Sequence, residues 1–65
     1  MSFKENDKVI IKGPINLNGN TIKVYAFGVK VVKVGEKQSI IDFKGPTNNE
    51  PILVTVDNKY IEKLL

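Results

Sequence analysis

A run of β-branched residues interrupted by two lysines, Val29-Lys30-Val31-Val32-Lys33-Val34, constrains the fold of this chain more than any other feature. Gly28 precedes the run and Gly35 follows it. Valine is stiff at χ1 and favours a pleated strand, whereas glycine favours turns. Similar runs lie on both sides, and no long segment has helical periodicity. The chain is therefore predicted to be mostly β.

Strict alternation fails inside this run. Val29 and Val31 would share one face of the strand, whereas Val32 and Val34 would share the opposite face. A β-bulge near Val31-Val32 would turn all four valines inward and leave Lys30 and Lys33 outside. The alternative is a strand buried on both faces, but a chain of 65 residues hardly provides so large a core. We therefore predict a bent strand that begins after Gly28.

The chain is short enough to form one domain at most, residues 1–65. It has no cysteine and no histidine, so a disulfide is excluded and a structural zinc site is not expected. We predict no cofactor. The charged N-terminus lacks the apolar segment of a signal peptide, and no stretch approaches the roughly 20 apolar residues of a membrane span. A soluble cytoplasmic protein is expected. All ten basic residues are lysine, and Asn and Ile are abundant, a composition that suits a bacterial or phage source.

Further strands are predicted from local patterns. Lys8–Lys12 is the first strand and is expected to end at Gly13-Pro14. Asn18-Gly19 is a strong hairpin signal, so residues 13–28 are predicted to form a long hairpin-like excursion. Thr21–Ala26 alternates, with one face inward (Ile22, Val24, Ala26) and the other outward (Thr21, Lys23, Tyr25).

The second half of the chain contains two more predicted strands, Ser39–Phe43 and Ile52–Val56, joined by a polar turn region over 45–51. The expected inward residues, with Phe3 as a further core anchor, are Ile41, Phe43, Ile52, Val54 and Val56. After a turn at 57–59, the chain is predicted to end in a short 3₁₀ turn and a final strand. A helix of one or two turns capped by Asp57 is the alternative.

This order of strands resembles the SH3-like small barrel. Asn6–Ile11 is similar to the opening Gly-Asp-x-Val strand of such domains, with Asn6 where glycine is usual. Gly28–Val34 resembles the Gly-x-Val-x-x-Val strand of KOW-type barrels, and Val56–Leu64 resembles the closing turn and last strand. The resemblance implies a five-stranded barrel with a long first loop. The OB-fold is the alternative fold, and the short chain disfavours it.

The barrel fold serves many functions, so the resemblance implies no single activity. The chain has no Trp, which argues against the aromatic groove of peptide-binding SH3 domains. Leu53-Val54-Thr55-Val56 lacks the Gln and Tyr of the matching strand in plasmid-type dihydrofolate reductases. With no His, no Cys, two unactivated serines and scattered acids, we expect no catalytic residues and no enzyme.

Lysines carry the first functional hypothesis. Residues 1–35 hold six lysines and two acids, a balance of +4, whereas residues 36–65 have a balance of −1. Lysines can bind phosphates, and a nearby aromatic ring can stack on a base, so the two together predict a nucleic-acid surface. The candidate residues are Lys12, Lys23, Tyr25, Lys30 and Lys33. Because the chain has no Arg, such binding is expected to be weak and independent of sequence. The alternatives are a merely solvated lysine face and a core position for Tyr25 and Phe27.

Protein interaction is the second hypothesis. Ile10, Ile40 and Leu53 are predicted to lie on the outer faces of three strands, where a protein partner or a second copy of the chain would cover them. Burial under the long loop is the alternative. A phage or plasmid accessory protein that acts on a host complex would have such a surface. The sequence thus predicts a non-catalytic binding module, with nucleic acid as the first candidate ligand and protein as the second.

Overall fold

The computed structural model describes residues 3–43 and 51–64, and strands dominate both segments. All strand pairs are antiparallel, and one short 3₁₀ helix at Asn58–Tyr60 precedes the last strand. The mostly β prediction is confirmed for these residues. The strands are β1 (Lys8–Leu17), β2 (Asn20–Lys33), β3 (Gln38–Asp42), β4 (Leu53–Asp57) and β5 (Ile61–Lys63).

The strands form one sheet in the order β2-β3-β4-β1-β5, and β2 also pairs with β1. β1 changes partner along one edge. Its first half pairs with β5 through residues 9–11, and its second half pairs with β4 through Ile15 and Asn16. The neighbours of β1 are therefore β2 on one edge and, in succession, β5 and β4 on the other.

A tight two-residue turn at Asn18-Gly19 joins β1 to β2 and confirms the predicted hairpin. Both residues have positive φ, 52° and 82°. Positive φ at both central positions is typical of the type I′ turn, whose twist matches that of the flanking strands. The Asn16 side chain accepts a hydrogen bond from the Gly19 amide at 3.1 Å, which further stabilises the turn. Local chemistry thus places the hairpin in register.

Two predicted strand ends are wrong. β1 continues through Gly13-Pro14. Between the residues that pair with β5 and those that pair with β4, β1 pairs with β2 alone, so its other side is an edge. Proline is tolerated at an edge because its missing N–H breaks no hydrogen bond there. β2 likewise passes through Gly28 instead of beginning after it. The register shifts between Val9 and Ile10, so that Gly28, with a φ of 79°, is the extra residue of a glycine bulge. Glycine there bends one strand and does not separate two.

The bulge predicted at Val31-Val32 is confirmed, since the β2–β3 register shifts between Val31 and Lys33. Lys30 and Lys33 are exposed, as expected. The prediction that all four valines point inward is wrong for Val32, which is 39% exposed. The residue inserted at a bulge has no partner on the neighbouring strand, and here it is turned toward solvent.

The core is formed by the inward residues of the five strands. The inward residues predicted in β3 and β4 agree with it, and so do Val24 and Ala26 of β2, but Ile22, which was also predicted to point inward, is 43% exposed. Ile41 and Val31 are fully buried, and Val54 and Val56 nearly so. Ile52 and Phe43 pack at its margin. The other buried apolar residues are Phe3, Val9, Ile11, Ile15 and Ile61. Phe3 is thus confirmed as a core anchor.

The C-terminal segment follows the predicted 3₁₀ turn and strand, and not the helical alternative. Asp57 caps the 3₁₀ helix by accepting a hydrogen bond from the Lys59 amide at 3.1 Å. Tyr60 packs so closely over Gly13 that a Cβ there would lie 2.6 Å from the tyrosine ring. This contact explains glycine at position 13 within β1. The polar turn predicted over 45–51 lies outside the described residues, except for Pro51.

Candidate nucleic-acid interface

The outer surface of the β1–β2 hairpin concentrates most of the predicted nucleic-acid residues. In β1, Val9 and Ile11 are buried, so the alternate residues point outward. The register then places specific residues of β2 opposite them on the same face. We call this surface the hairpin face, and define it by Lys8, Ile10, Lys12, Lys23, Tyr25, Phe27 and Lys30.

Two aromatic rings occupy the centre of the hairpin face. Tyr25 is 68% exposed and lies opposite Lys12, whereas Phe27 is 67% exposed and lies opposite Ile10. The alternative that these rings belong to the core is therefore wrong. Phe27 was not among the predicted site residues, although the alternation of Lys23 and Tyr25 extends to it directly. The sequence signal was the period of two, which continues until the Gly28 bulge.

Lysines lie at both ends of the aromatic pair. Lys23 lies two residues before Tyr25 on β2, opposite Pro14. At the other end, Lys8 and Lys30 lie directly opposite each other. Like charges in that position on neighbouring strands destabilise the sheet. Lys8 was also missed by sequence reasoning, because its position against Lys30 depends on the one-residue shift at Gly28.

Acidic residues border the hairpin face but do not belong to it, since residues 8–33 contain none. Glu62 of β5 forms an ion pair with Lys12, and both side chains are about half exposed. The hydrogen bond and the negative charge of Glu62 raise the pKa of Lys12 above its ordinary value. On the opposite side, Asp42 of β3 lies across from Lys30. The charge available to a polyanion is therefore greatest at Lys8 and Lys23.

Lys33 does not belong to the hairpin face. It follows the Val32 bulge, pairs with Ile40 of β3, and lines an open groove of about 330 Å³ beside the β2–β3 connection. Lys37, Gln38 and Thr55 also line this groove. The structure thus brings together four of the five predicted nucleic-acid residues and places the fifth on the adjoining β2–β3 surface.

The three residues predicted to form a protein interface do not form one patch. Ile10 lies on the hairpin face, between Phe27 and Glu62 of the two neighbouring strands. Leu53 is 51% exposed on β4, opposite Asp42. Ile40 lies two residues from Asp42 on β3, so it is a diagonal neighbour of Leu53 on the β3–β4 surface.

Within residues 3–43 and 51–64, no group of His, Cys, Asp or Glu side chains is arranged to hold a metal ion. In the same residues, no helix has the length and hydrophobicity needed to cross a membrane. Comparison with protein-family models, with curated proteins and with solved structures finds no match to this chain.

Proposed function

We propose that this protein is a small SH3-like barrel that acts as a non-catalytic binding module and contacts nucleic acid through the hairpin face. The observation that carries the proposal is the position of Lys8 against Lys30, at one end of two exposed aromatic rings on a hairpin without acids. The contact is weak and independent of sequence, because lysine supplies charge without the bidentate geometry of arginine.

Strand pairing supports the barrel. Successive strands from β1 to β4 pair with each other, and Ile15 and Asn16 of β1 return to pair with β4. A strand that belongs to both halves of a small barrel must bend, and β2 has bulges at Gly28 and Val32. β5 pairs with the first half of β1, as the closing strand of an SH3-like domain does.

The electrostatics of the hairpin face support a polyanionic ligand. Lys30 lies across from Asp42 on β3, but its partner on β1 is Lys8, and a like-charge pair on neighbouring strands is unfavourable for folding. A phosphate between Lys8 and Lys30 would offset that repulsion in the complex. Lysines that neutralise phosphates also release counterions, so the affinity should fall as the salt concentration rises.

The double substitution Lys8→Gln/Lys30→Gln is expected to weaken binding without weakening the fold. Each lysine that contacts a phosphate contributes about 1 to the slope of log K against log salt, so the slope should decrease by about 2. The free energy of unfolding should change by no more than about 0.5 kcal/mol, because exposed substitutions have small effects. Relief of the Lys8–Lys30 repulsion also offsets the lost attraction between Lys30 and Asp42. Fluorescence anisotropy with labelled oligonucleotides, repeated over a series of salt concentrations, measures the slope.

Two controls sharpen this test. Lys4→Gln/Lys59→Gln removes the same charge from exposed residues outside the hairpin face, and should leave the slope nearly unchanged. Glu62→Gln removes the acid that pairs with Lys12, and should increase the affinity at low salt. An equal loss of binding in both lysine double variants would contradict a defined site, and absence of binding at low salt would contradict the proposed function.

A second candidate function, protein interaction or self-assembly, is favoured by the exposure of Leu53. Half of this side chain is exposed on β4 beside Ile40. β4 pairs with β1 only through Thr55 and Val56, so its first residues have no strand partner on that side within the described chain. An apolar residue beside an unpaired strand edge is typical of a surface that pairs with another chain.

This second candidate predicts association that depends on concentration. Sedimentation velocity should show a growing dimer fraction as the protein concentration increases, and Leu53→Lys should abolish it because a charge on the edge opposes pairing. Leu53→Thr is the matched control, since it shortens the side chain without adding a charge. A monomer at every concentration, with the lysine variant indistinguishable from the native chain, would argue against self-assembly.

A further inference from the structure

Tyr25 and Phe27 have the highest exposures of the large hydrophobic residues in the described chain, at 68% and 67%. Aromatic side chains ordinarily contribute their large apolar area to a core or an interface. Neither ring belongs to the core cluster. Folding therefore gains little from them, whereas a ligand with flat apolar faces would gain a large contact area.

The spacing of the two rings restricts that ligand. They lie two residues apart on one strand face, which corresponds to about 6.6 Å along the strand. Bases stacked in a duplex are separated by about 3.4 Å, or roughly half of this distance. Two adjacent bases can each meet a ring at the larger spacing only if they have separated from each other. A flexible single strand allows this separation, and a duplex with paired and stacked bases does not.

Charge at both ends of the ring pair matches the same ligand. Lys12 and Lys23 lie beside Tyr25, and Lys8 and Lys30 lie beyond Phe27. A strand that places two bases on the rings extends its phosphates toward both lysine pairs. Building on the proposed nucleic-acid function, we propose that the hairpin face binds single-stranded nucleic acid, with one base stacked on Tyr25 and the next on Phe27. An apolar protein surface would gain nothing from lysines at both ends.

The test compares a labelled oligothymidylate of about 12 nucleotides, within the range of single-strand site sizes, with a duplex of equal length. The key variant is Tyr25→Leu/Phe27→Leu, which keeps apolar area but removes both rings. The native chain should prefer the single strand, and the variant should lose about 5- to 150-fold in single-strand affinity for each ring removed. Its duplex affinity and its salt slope should not change, because the lysines remain.

Two further measurements separate stacking from other causes. Tyr25→Phe keeps a ring and should retain the single-strand affinity. Tyr25→Phe and Tyr25→Leu/Phe27→Leu should both keep the native urea midpoint, because the rings are exposed. The chain has two tyrosines and no tryptophan, so Tyr60→Phe leaves Tyr25 as the only tyrosine fluorophore. Its emission should then be quenched when oligothymidylate binds.

The outcomes distinguish this inference from the function on which it rests. Equal affinity for single strand and duplex, or unchanged single-strand affinity in the leucine variant, would overturn base stacking but leave a lysine-based nucleic-acid module. Failure of both probes to bind at low salt would overturn both proposals. Loss of single-strand preference in the leucine variant, together with retention in Tyr25→Phe, would establish the rings as the base-binding site.

Discussion

Replacing Ile41 with alanine is expected to destabilise the domain by about 2–5 kcal/mol, the usual range for truncating a buried isoleucine. Ile41 of β3 is fully buried. Its register partners are Val31 of β2 and Val54 of β4, which are also buried, so the cavity would lie among three core strands. The core of a domain this small rarely supplies more than about 3–5 kcal/mol, so a large fraction of the variant should be unfolded in water.

Urea denaturation followed by far-ultraviolet circular dichroism measures this effect. Ile41→Val is the matched control, since it removes one methylene and should cost about 0.5–1.5 kcal/mol. Leu53→Ala on the adjoining strand should cost less than the alanine substitution in the core, because half of that side chain is already exposed. If Ile41→Ala and Ile41→Val had the same midpoint, the centre of the core would not lie at Ile41.

Replacing Asn58 with alanine should produce the second large loss, about 2–4 kcal/mol, since one side chain satisfies several polar groups. Its amide nitrogen donates to the carbonyls of Gly35 and Glu36 at 2.9 and 3.1 Å. Its side-chain oxygen accepts from the Ser39 hydroxyl at 2.6 Å. Ser39 is only 1% exposed, so its hydroxyl would lose its acceptor in a site that water hardly reaches.

A double-mutant cycle with Ser39→Ala apportions this loss. If the hydrogen bond between the two side chains dominates, Asn58→Ala should cost much less once the serine hydroxyl is absent. Asn58→Asp keeps an acceptor for Ser39 but replaces the donor to the two carbonyls with a negative charge. We expect it to be at least as destabilising as alanine. An alanine variant within 0.5 kcal/mol of the native chain would show that the network does not tie the 3₁₀ helix to the β2–β3 connection.

The candidate site was only partly accessible from the sequence. Alternation placed Lys23 and Tyr25 outward and would have included Phe27 had it been followed up to Gly28. The role of Lys8 could not be found in this way, because only cross-strand register places it opposite Lys30. For the same reason, the sequence grouped Ile10 with Leu53, although the register places Ile10 between Phe27 and Glu62 and places Leu53 opposite Asp42.

What the sequence determined by itself is local. Asn18-Gly19 specifies a tight hairpin because both residues tolerate positive φ, and a period of two separates inward from outward residues over short segments. The mismatch among the valines of β2 predicted a bulge because it breaks that period. Each of these signals depends on a residue and its near neighbours in the chain.

The tertiary structure decided everything that depends on partners distant in sequence. Glycine and proline act as strand ends or as bulges according to which strand lies beside them, so Gly13-Pro14 and Gly28 could not be interpreted alone. The hydrogen bonds between Asn58 and the β2–β3 connection link residues more than 20 positions apart. The hairpin face itself arises from pairing register, since a shift of one residue moves a side chain to the opposite face of the sheet.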